Sequence, residues 1–231
     1  PVPPSLIKHW KEYFPNHLYD TNYGLSESTG PGCVHLGIEN IDKVGAIGIP
    51  GYRWSCKIVD ENGNALPQGE VGELCVQGPG MMTCYYNDPK ATAETIKDGW
   101  LFTGDMAMQD EDGFYFLVDR KKDDIVSGGE NIYPVQIENF LSAFDKVKDV
   151  AVIGLPDKRL GEITGAVISI KDGMECTEEE INEYCMKLPR YKRPKKLIFA
   201  DVPRNATGKI EKPALRKKYG AEYLVAQQNR A

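Results

Sequence analysis

The 231-residue sequence predicts an α+β fold: an antiparallel β-barrel subdomain, then a small α+β domain. Three observations point there. Between about Val44 and Val118 the short alternating runs CKIVD, GELCVQ and FYFLV are separated by the turn signals Glu61-Asn62-Gly63-Asn64 and Asp112-Gly113. A charged cluster follows, Asp119-Arg120-Lys121-Lys122-Asp123-Asp124, and beyond it the texture becomes mixed helix and strand. The 23 glycines and 15 prolines supply turns for many short elements.

Taken in order, Leu6, Ile7, Trp10 and Phe14 recur at helical spacing, so residues 5–14 read as an amphipathic helix ended by Pro15-Asn16. The β segment follows, and the charged cluster marks a domain boundary, giving 1–121 and 122–231. Pro134 stands where a first helical residue belongs, with Ile137, Phe140, Leu141 and Phe144 at i, i+3, i+4 and i+7. Thr177 and Glu180 form a capping-box pair, and Ile181, Tyr184, Cys185 and Leu188 repeat the apolar spacing. VKDVAVIGLP, GAVISI and KKLIFAD read as strands, and a last basic helix starts near Pro213.

Composition bounds the function. A net charge of −6 with 41% hydrophobic residues describes a globular chain and excludes disordered and collagen-like classes. No apolar run reaches the roughly 18 to 20 residues needed to cross a bilayer, and PVPPSLIKHW lacks a signal-peptide layout. The expectation is a cytoplasmic protein without a transmembrane segment. Six cysteines form no CxxC pair and there are three histidines, so free thiols are expected rather than structural zinc. Lys187 to Tyr219 holds 12 basic and 2 acidic residues, a net of +10, which leaves −16 elsewhere. This suits either a solvated basic face or a phosphate-rich small ligand. Nucleic acid is not expected, because no helix-turn-helix, RNA-binding sheet motif or zinc finger is present.

Four segments carry chemistry. In Tyr23-Gly24-Leu25-Ser26-Glu27 a carboxylate can hold a hard cation, a hydroxyl can bond a phosphate and an aromatic ring can stack on a base. In Trp100-Leu101-Phe102-Thr103-Gly104-Asp105 a carboxylate suits two neighbouring hydroxyls, and the glycine lets backbone approach closely. The third segment runs from Asp119 to Glu138 around SGGENIYP, and the fourth is Pro203-Arg204-Asn205-Ala206-Thr207-Gly208-Lys209-Ile210. The last is not a P-loop, since Pro203 stands where the first glycine is required and Ile210 where Ser or Thr is. Each segment alone also reads as an ordinary turn.

In this order and spacing, from about residue 20 to 218, the four segments resemble the later core motifs of the AMP-forming adenylating enzymes. That family comprises acyl-CoA synthetases, peptide-synthetase adenylation domains and beetle luciferase. The resemblance implies that the chain carries the end of the large AMP-binding domain with its barrel subdomain (1–121) and a mobile C-terminal domain (122–231). The family's phosphate loop and most of its acyl pocket would lie upstream, so the chain is expected to be a fragment inactive alone. Glu27 is implied as the Mg²⁺ ligand, Ser26 as the α-phosphate contact and Tyr23 as the adenine face. Asp105 is implied as the ribose ligand, Arg120 as a ribose and phosphate contact and Lys122 as the hinge. Ser127, Gly128 and Gly129 are implied to face a pantetheine channel, and Lys209 to be the catalytic lysine. Ser26 stands where Thr is usual, Asp119 where Gly is usual and Asp124 where an apolar residue is common.

The resemblance further implies an acyl-CoA ligase using ATP, Mg²⁺ and coenzyme A on a carboxylic acid, in the setting of fatty acid metabolism. The GGENIYP form of the third segment favours free coenzyme A. The alternatives are an adenylation domain loading a carrier protein and, for the chain by itself, a non-catalytic nucleotide- or CoA-binding module. Luciferase-like oxygenation has no feature in its favour, and oligomeric state and the acid itself are not readable.

Overall fold

A computed structural model describes residues 4–16, 20–36, 43, 45–206 and 208–228. The chain forms two compact units, Pro1–Lys122 and Asp123–Ala231. Both contain strands and helices, with several strands in succession, an α+β composition.

In the first unit, helix α1 (Pro4–Tyr13) is followed by β1 (Asp20–Gly24), β2 (Pro31–Leu36) and β3 (Ile49–Pro50), which make a three-stranded antiparallel sheet. Next come β4 (Ser55–Val59), β5 (Gly72–Gln77), helix α2 (Pro89–Thr95), β6 (Ile96–Lys97), β7 (Trp100–Gln109) and β8 (Tyr115–Arg120). These strands form a second antiparallel sheet in which β5 flanks one edge of β7, while β6 and β8 share the other. Gly48 bridges to Tyr115 of β8, so the segment leading into β3 is hydrogen-bonded to the second sheet. Tyr23, Cys33, Leu74, Val76 and Leu101 meet in the core.

Three features depart from the sequence expectation. DTNYG and PGCVHL pair as β1 and β2, although neither shows clear alternation; their pairing is a tertiary outcome. Helix α2 interrupts the segment expected to be β, started by the Asp88 side chain, which accepts the Ala91 N–H at 2.9 Å, and by Pro89 at the first turn. The apolar spacing of α1 is present, yet Leu6 and Trp10 are exposed.

The second unit contains β9 (Ile125–Ser127), β10 (Glu130–Ile132), α3 (Pro134–Ser142), β11 (Val147–Asp157), β12 (Gly161–Ile170), α4 (Glu178–Cys185), β13 (Lys196–Phe199) and α5 (Lys212–Gln228). The sheet order is β10-β9-β12-β11, with β13 parallel to β12. VAVIGL in β11 is buried on both faces, which is why it reads as a continuous apolar run. Val150 and Val152 pack with α3 and α4 residues such as Ile137, Leu141 and Ile181. Ala151, Ile153 and Leu155 point the other way, to Leu215 and Tyr219 of α5. The capping box forms as expected, with the Glu180 N–H bonded to Thr177 Oγ1 at 3.3 Å and the Thr177 N–H to Glu180 Oε2 at 3.0 Å. Thr177→Ala is expected to cost about 1 kcal/mol in urea unfolding. Among the described residues no helix is long and apolar enough to cross a membrane.

Candidate functional site

Asp105 does not sit in a turn between strands; it lies inside β7, at a bulge. Pairing jumps from Glu73↔Met106 to Cys75↔Phe102, so three residues of β7, Thr103, Gly104 and Asp105, oppose Leu74 alone. Gly104 takes a φ of 71°, a left-handed conformation that side chains disfavour. Side chains and backbone nearby meet polar groups of the bulge. Thr103 Oγ1 donates to the Leu74 carbonyl at 2.7 Å, and the Gly104 N–H donates to Glu73 Oε1 at 3.0 Å. Glu73 is buried, and its second oxygen takes Lys121 Nζ at 3.0 Å. The Lys121 N–H in turn reaches the Gly104 carbonyl at 2.9 Å.

This clamp fixes Asp105, which is 7% exposed. The Tyr23 hydroxyl donates to Asp105 Oδ2 at 2.7 Å, and Arg120 Nε lies 3.5 Å from Oδ1 across the β7–β8 pair. The sequence therefore brings Tyr23, Asp105 and Arg120 together from positions nearly a hundred residues apart. Tyr23 itself is buried in the core, so what it presents to Asp105 is its hydroxyl. Burial, and then the charge of Asp105, push the Tyr23 phenol far above its ordinary value of 10.0. Burial does the same to Tyr115. Because the folded value is raised, the folded protein keeps its proton where the unfolded chain, titrating near 10, releases it. That stability is complete below pH about 10 and is lost as pH rises beyond it. Urea midpoints measured upward from pH 10 should fall, and fall less steeply in Tyr23→Phe.

Ser26 and Glu27 follow β1 on a single 3₁₀ turn, Ser26–Ser28, where the buried Ser28 hydroxyl accepts the Leu25 N–H at 2.9 Å. Ser26 is exposed and Glu27 half-buried. Glu27 Oε1 accepts the Tyr85 hydroxyl at 2.8 Å, and its carbonyl accepts the Met82 N–H at 2.7 Å. The bond to Glu27 raises the Tyr85 phenol above its usual value.

Lys122 is exposed and is the last residue of the first unit. In the second unit Ser127 closes β9, and Gly128-Gly129 form the two-residue loop to β10, with φ of 61° and 89°. Two left-handed residues in a row define a hairpin turn of this kind, so the turn alone accounts for both glycines. Lys209 is exposed on a tight loop closed by the Arg204↔Ile210 bridge. Its N–H is held by Asn205 Oδ1 at 2.9 Å and its carbonyl accepts the Asn205 N–H at 2.9 Å. Arg204 anchors the loop, reaching Asp149 through two nitrogens at 2.8 Å each and the Gly208 carbonyl at 2.6 Å. The backbone of Lys209 is thus fixed while its ammonium stays in solvent.

Sequence reasoning missed the residues that hold these groups. Glu73 carried a signal, a charge inside the apolar run GELCVQ, which burial obliges to find partners. Tyr85 and Asp149 carried none, because their partners are distant in sequence, and Arg204 stood within the fourth segment without its anchoring role being legible.

Comparison with known proteins agrees with this layout. Residues 1–86 match the model of the AMP-binding enzyme family, and residues 136–209 match that of the AMP-binding enzyme C-terminal domain. The chain is 38% identical over 223 residues to feruloyl-CoA synthase of an Amycolatopsis species, covering 95% of this chain and 45% of that protein. It is 40% identical over 223 residues to the long-chain-fatty-acid–CoA ligase FadD13 of Mycobacterium tuberculosis, covering 96% and 44%. Among solved structures, o-succinylbenzoate CoA synthetase (MenE) of Bacillus subtilis in complex with its acyl-adenylate intermediate superimposes with a TM-score of 0.86 at 31% identity, covering 94% and 44%. The same enzyme has been solved with ATP and a magnesium ion, with a TM-score of 0.84 at 32% identity, covering 93% and 44%. The chain therefore spans less than half the length of the relatives it matches. Through both of its units, the chain belongs to the AMP-binding enzyme family.

Proposed function

We propose that the whole protein is an ATP-dependent acyl-CoA ligase that first joins a carboxylic acid to AMP, releasing pyrophosphate, and then passes the acyl group to the thiol of coenzyme A. The observation that carries this reading is the buried Asp105 carboxylate, held by Tyr23 and faced by Arg120. A preorganised pair of acceptor oxygens beside a guanidinium suits a ribose diol with a phosphate next to it. Asp105 would accept the ribose hydroxyls and Arg120 would donate to ribose and phosphate. The exposed Ser26 hydroxyl would donate to the α-phosphate. The ATP-bound and adenylate-bound neighbours, and the CoA ligases among the relatives, support the ligase reading.

Glu27 is a half-buried carboxylate oriented by Tyr85, a hard oxygen donor that fits Mg²⁺. Among the described residues no three His, Cys, Asp or Glu cluster to hold a metal, so a cation at Glu27 would be shared with the nucleotide phosphates. Bound there, Mg²⁺ would offset phosphate charge. Residues 1–121 in this reading complete the large domain with its barrel subdomain, and 122–231 form the mobile domain, with Lys122 as hinge. Lys209 would bring its ammonium to the attacking carboxylate and the α-phosphate. Ser127, Gly128 and Gly129 would face the pantetheine chain in the thioester-forming pose. The free thiols of all six cysteines suit a reducing, cytoplasmic setting.

The test is pyrophosphate release by the whole protein from ATP with a panel of fatty and aryl carboxylic acids, followed by addition of coenzyme A. Acid-dependent pyrophosphate and a CoA thioester are expected. Acid-dependent pyrophosphate without thioester would make a carrier protein the acceptor. No acid-dependent pyrophosphate and no AMP binding would sink the reading.

A further inference from the structure

Behind Tyr23 lie two thiols whose chemistry the adenylation reading does not use. Cys33 on β2 is the cross-strand partner of Tyr23 and is fully buried. Its sulfur touches that of Cys56 on β4, with Sγ···Sγ of 3.4 Å. Cys56 is half-buried, and its carbonyl accepts the Tyr115 hydroxyl at 3.0 Å. The two strands belong to different sheets, and these sulfurs are a direct side-chain contact between them. No other pair among the six cysteines is in such contact among the described residues.

We propose that Cys33 and Cys56 are a peroxide-sensitive modification site that closes to a disulfide and ties β2 to β4 directly behind the Tyr23–Asp105 pair. The order of events follows from access. Cys56 is the partly exposed residue of the two and Cys33 is fully buried, and the bond to Cys56 together with burial holds the Cys33 thiol far above its usual value. Peroxide therefore attacks Cys56: the O–O bond breaks, the Cys56 sulfur gains one oxygen as a sulfenic acid and one water leaves. The Cys33 sulfur then attacks the Cys56 sulfur, the S–O bond breaks, and the Cys33 proton leaves with that oxygen as a second water. Two thiols are oxidised by two electrons and one peroxide is reduced to two waters.

A disulfide sulfur pair stands about 2.0 Å apart, so closure must draw the two sulfurs together from 3.4 Å and reset the side chains that carry them. Cys33 lies directly opposite Tyr23 in the β1–β2 pair, and the Tyr23 hydroxyl sets the Asp105 carboxylate, so the repacking reaches that ligand. Misplacing such a ligand by a fraction of an ångström is expected to weaken AMP binding about ten- to a hundredfold. The disulfide itself does not depend on the proposed function; its effect on AMP does.

The experiment uses the whole protein with Cys84→Ser, which removes an exposed thiol. Hydrogen peroxide is titrated in, peptides are mapped without reduction, and AMP affinity is measured before oxidation, after it, and after dithiothreitol. The expected result is a Cys33–Cys56 linked peptide lacking two hydrogens, with weakened AMP binding restored by the reductant. With Cys33→Ser added, dimedone should trap Cys56 as its sulfenic acid and no linked peptide should form. Cys56 oxidised beyond the sulfenic acid while Cys33 stays a free thiol would overturn the site. A linked peptide with unchanged AMP affinity would overturn its coupling to Tyr23. AMP binding absent even from reduced protein would count against the ligase reading and leave the disulfide standing.

Discussion

If the proposed role of Lys209 holds, Lys209→Ala in the whole protein is expected to lower acid-dependent pyrophosphate release by about 10² to 10³, or ~3 to 4 kcal/mol, the usual cost of removing one preorganised charge from a transition state. Thioester formation from a supplied acyl-adenylate is largely retained, because that half-reaction has no carboxylate attacking a phosphate. The geometry makes the contrast sharp. Arg204 and Asp149 fix the loop, and Asn205 bonds the Lys209 backbone on both sides, so deleting the side chain beyond Cβ leaves the loop's shape intact. Arg204→Ala should act differently: the loop loses its anchor, and adenylation falls although Lys209 keeps its charge. Equal activity of Lys209→Ala and wild type in both half-reactions would make Lys209 a turn residue and nothing more.

What could be read from sequence divides along a physical line. Elements whose stability is local were legible: the Thr177–Glu180 cap, the Pro134 start of α3 and the two-face apolar run of β11 all announce themselves within a few residues. Elements made by tertiary pairing were not. DTNYG becomes a strand because β2 lies beside it, and Thr103-Gly104-Asp105 reads as a turn until Leu74 and Glu73 supply the partners that turn it into a bulge. The same holds at the site. The groups with chemistry stood in recognisable short segments, whereas the groups that orient them are many residues away: Tyr85, which orients Glu27, has no local signature, and Glu73, which holds the Asp105 bulge, shows only as a charge inside an apolar run. The glycines Gly128 and Gly129 mark the converse: a backbone requirement for a hairpin produces the same letters as a requirement for open space.

Asp105→Ala is expected to lower both AMP affinity and stability, and the two losses should separate by a second substitution. In the proposed site affinity should fall because the ribose hydroxyls would lose a charged acceptor, about 10- to 100-fold for each hydrogen bond of that kind. Stability falls because the Tyr23 hydroxyl, buried in the core, keeps its donor and loses its acceptor, a cost of about 1 to 3 kcal/mol. Adding Tyr23→Phe removes the orphaned hydroxyl, so the double variant should unfold at a higher urea concentration than Asp105→Ala alone while binding AMP no better. Arg120 does not blur the comparison, since it is exposed and water can replace its weak contact with Asp105. If Tyr23→Phe restored affinity along with stability, Asp105 would be holding the fold rather than the nucleotide, and the ribose ligand would have to be sought elsewhere.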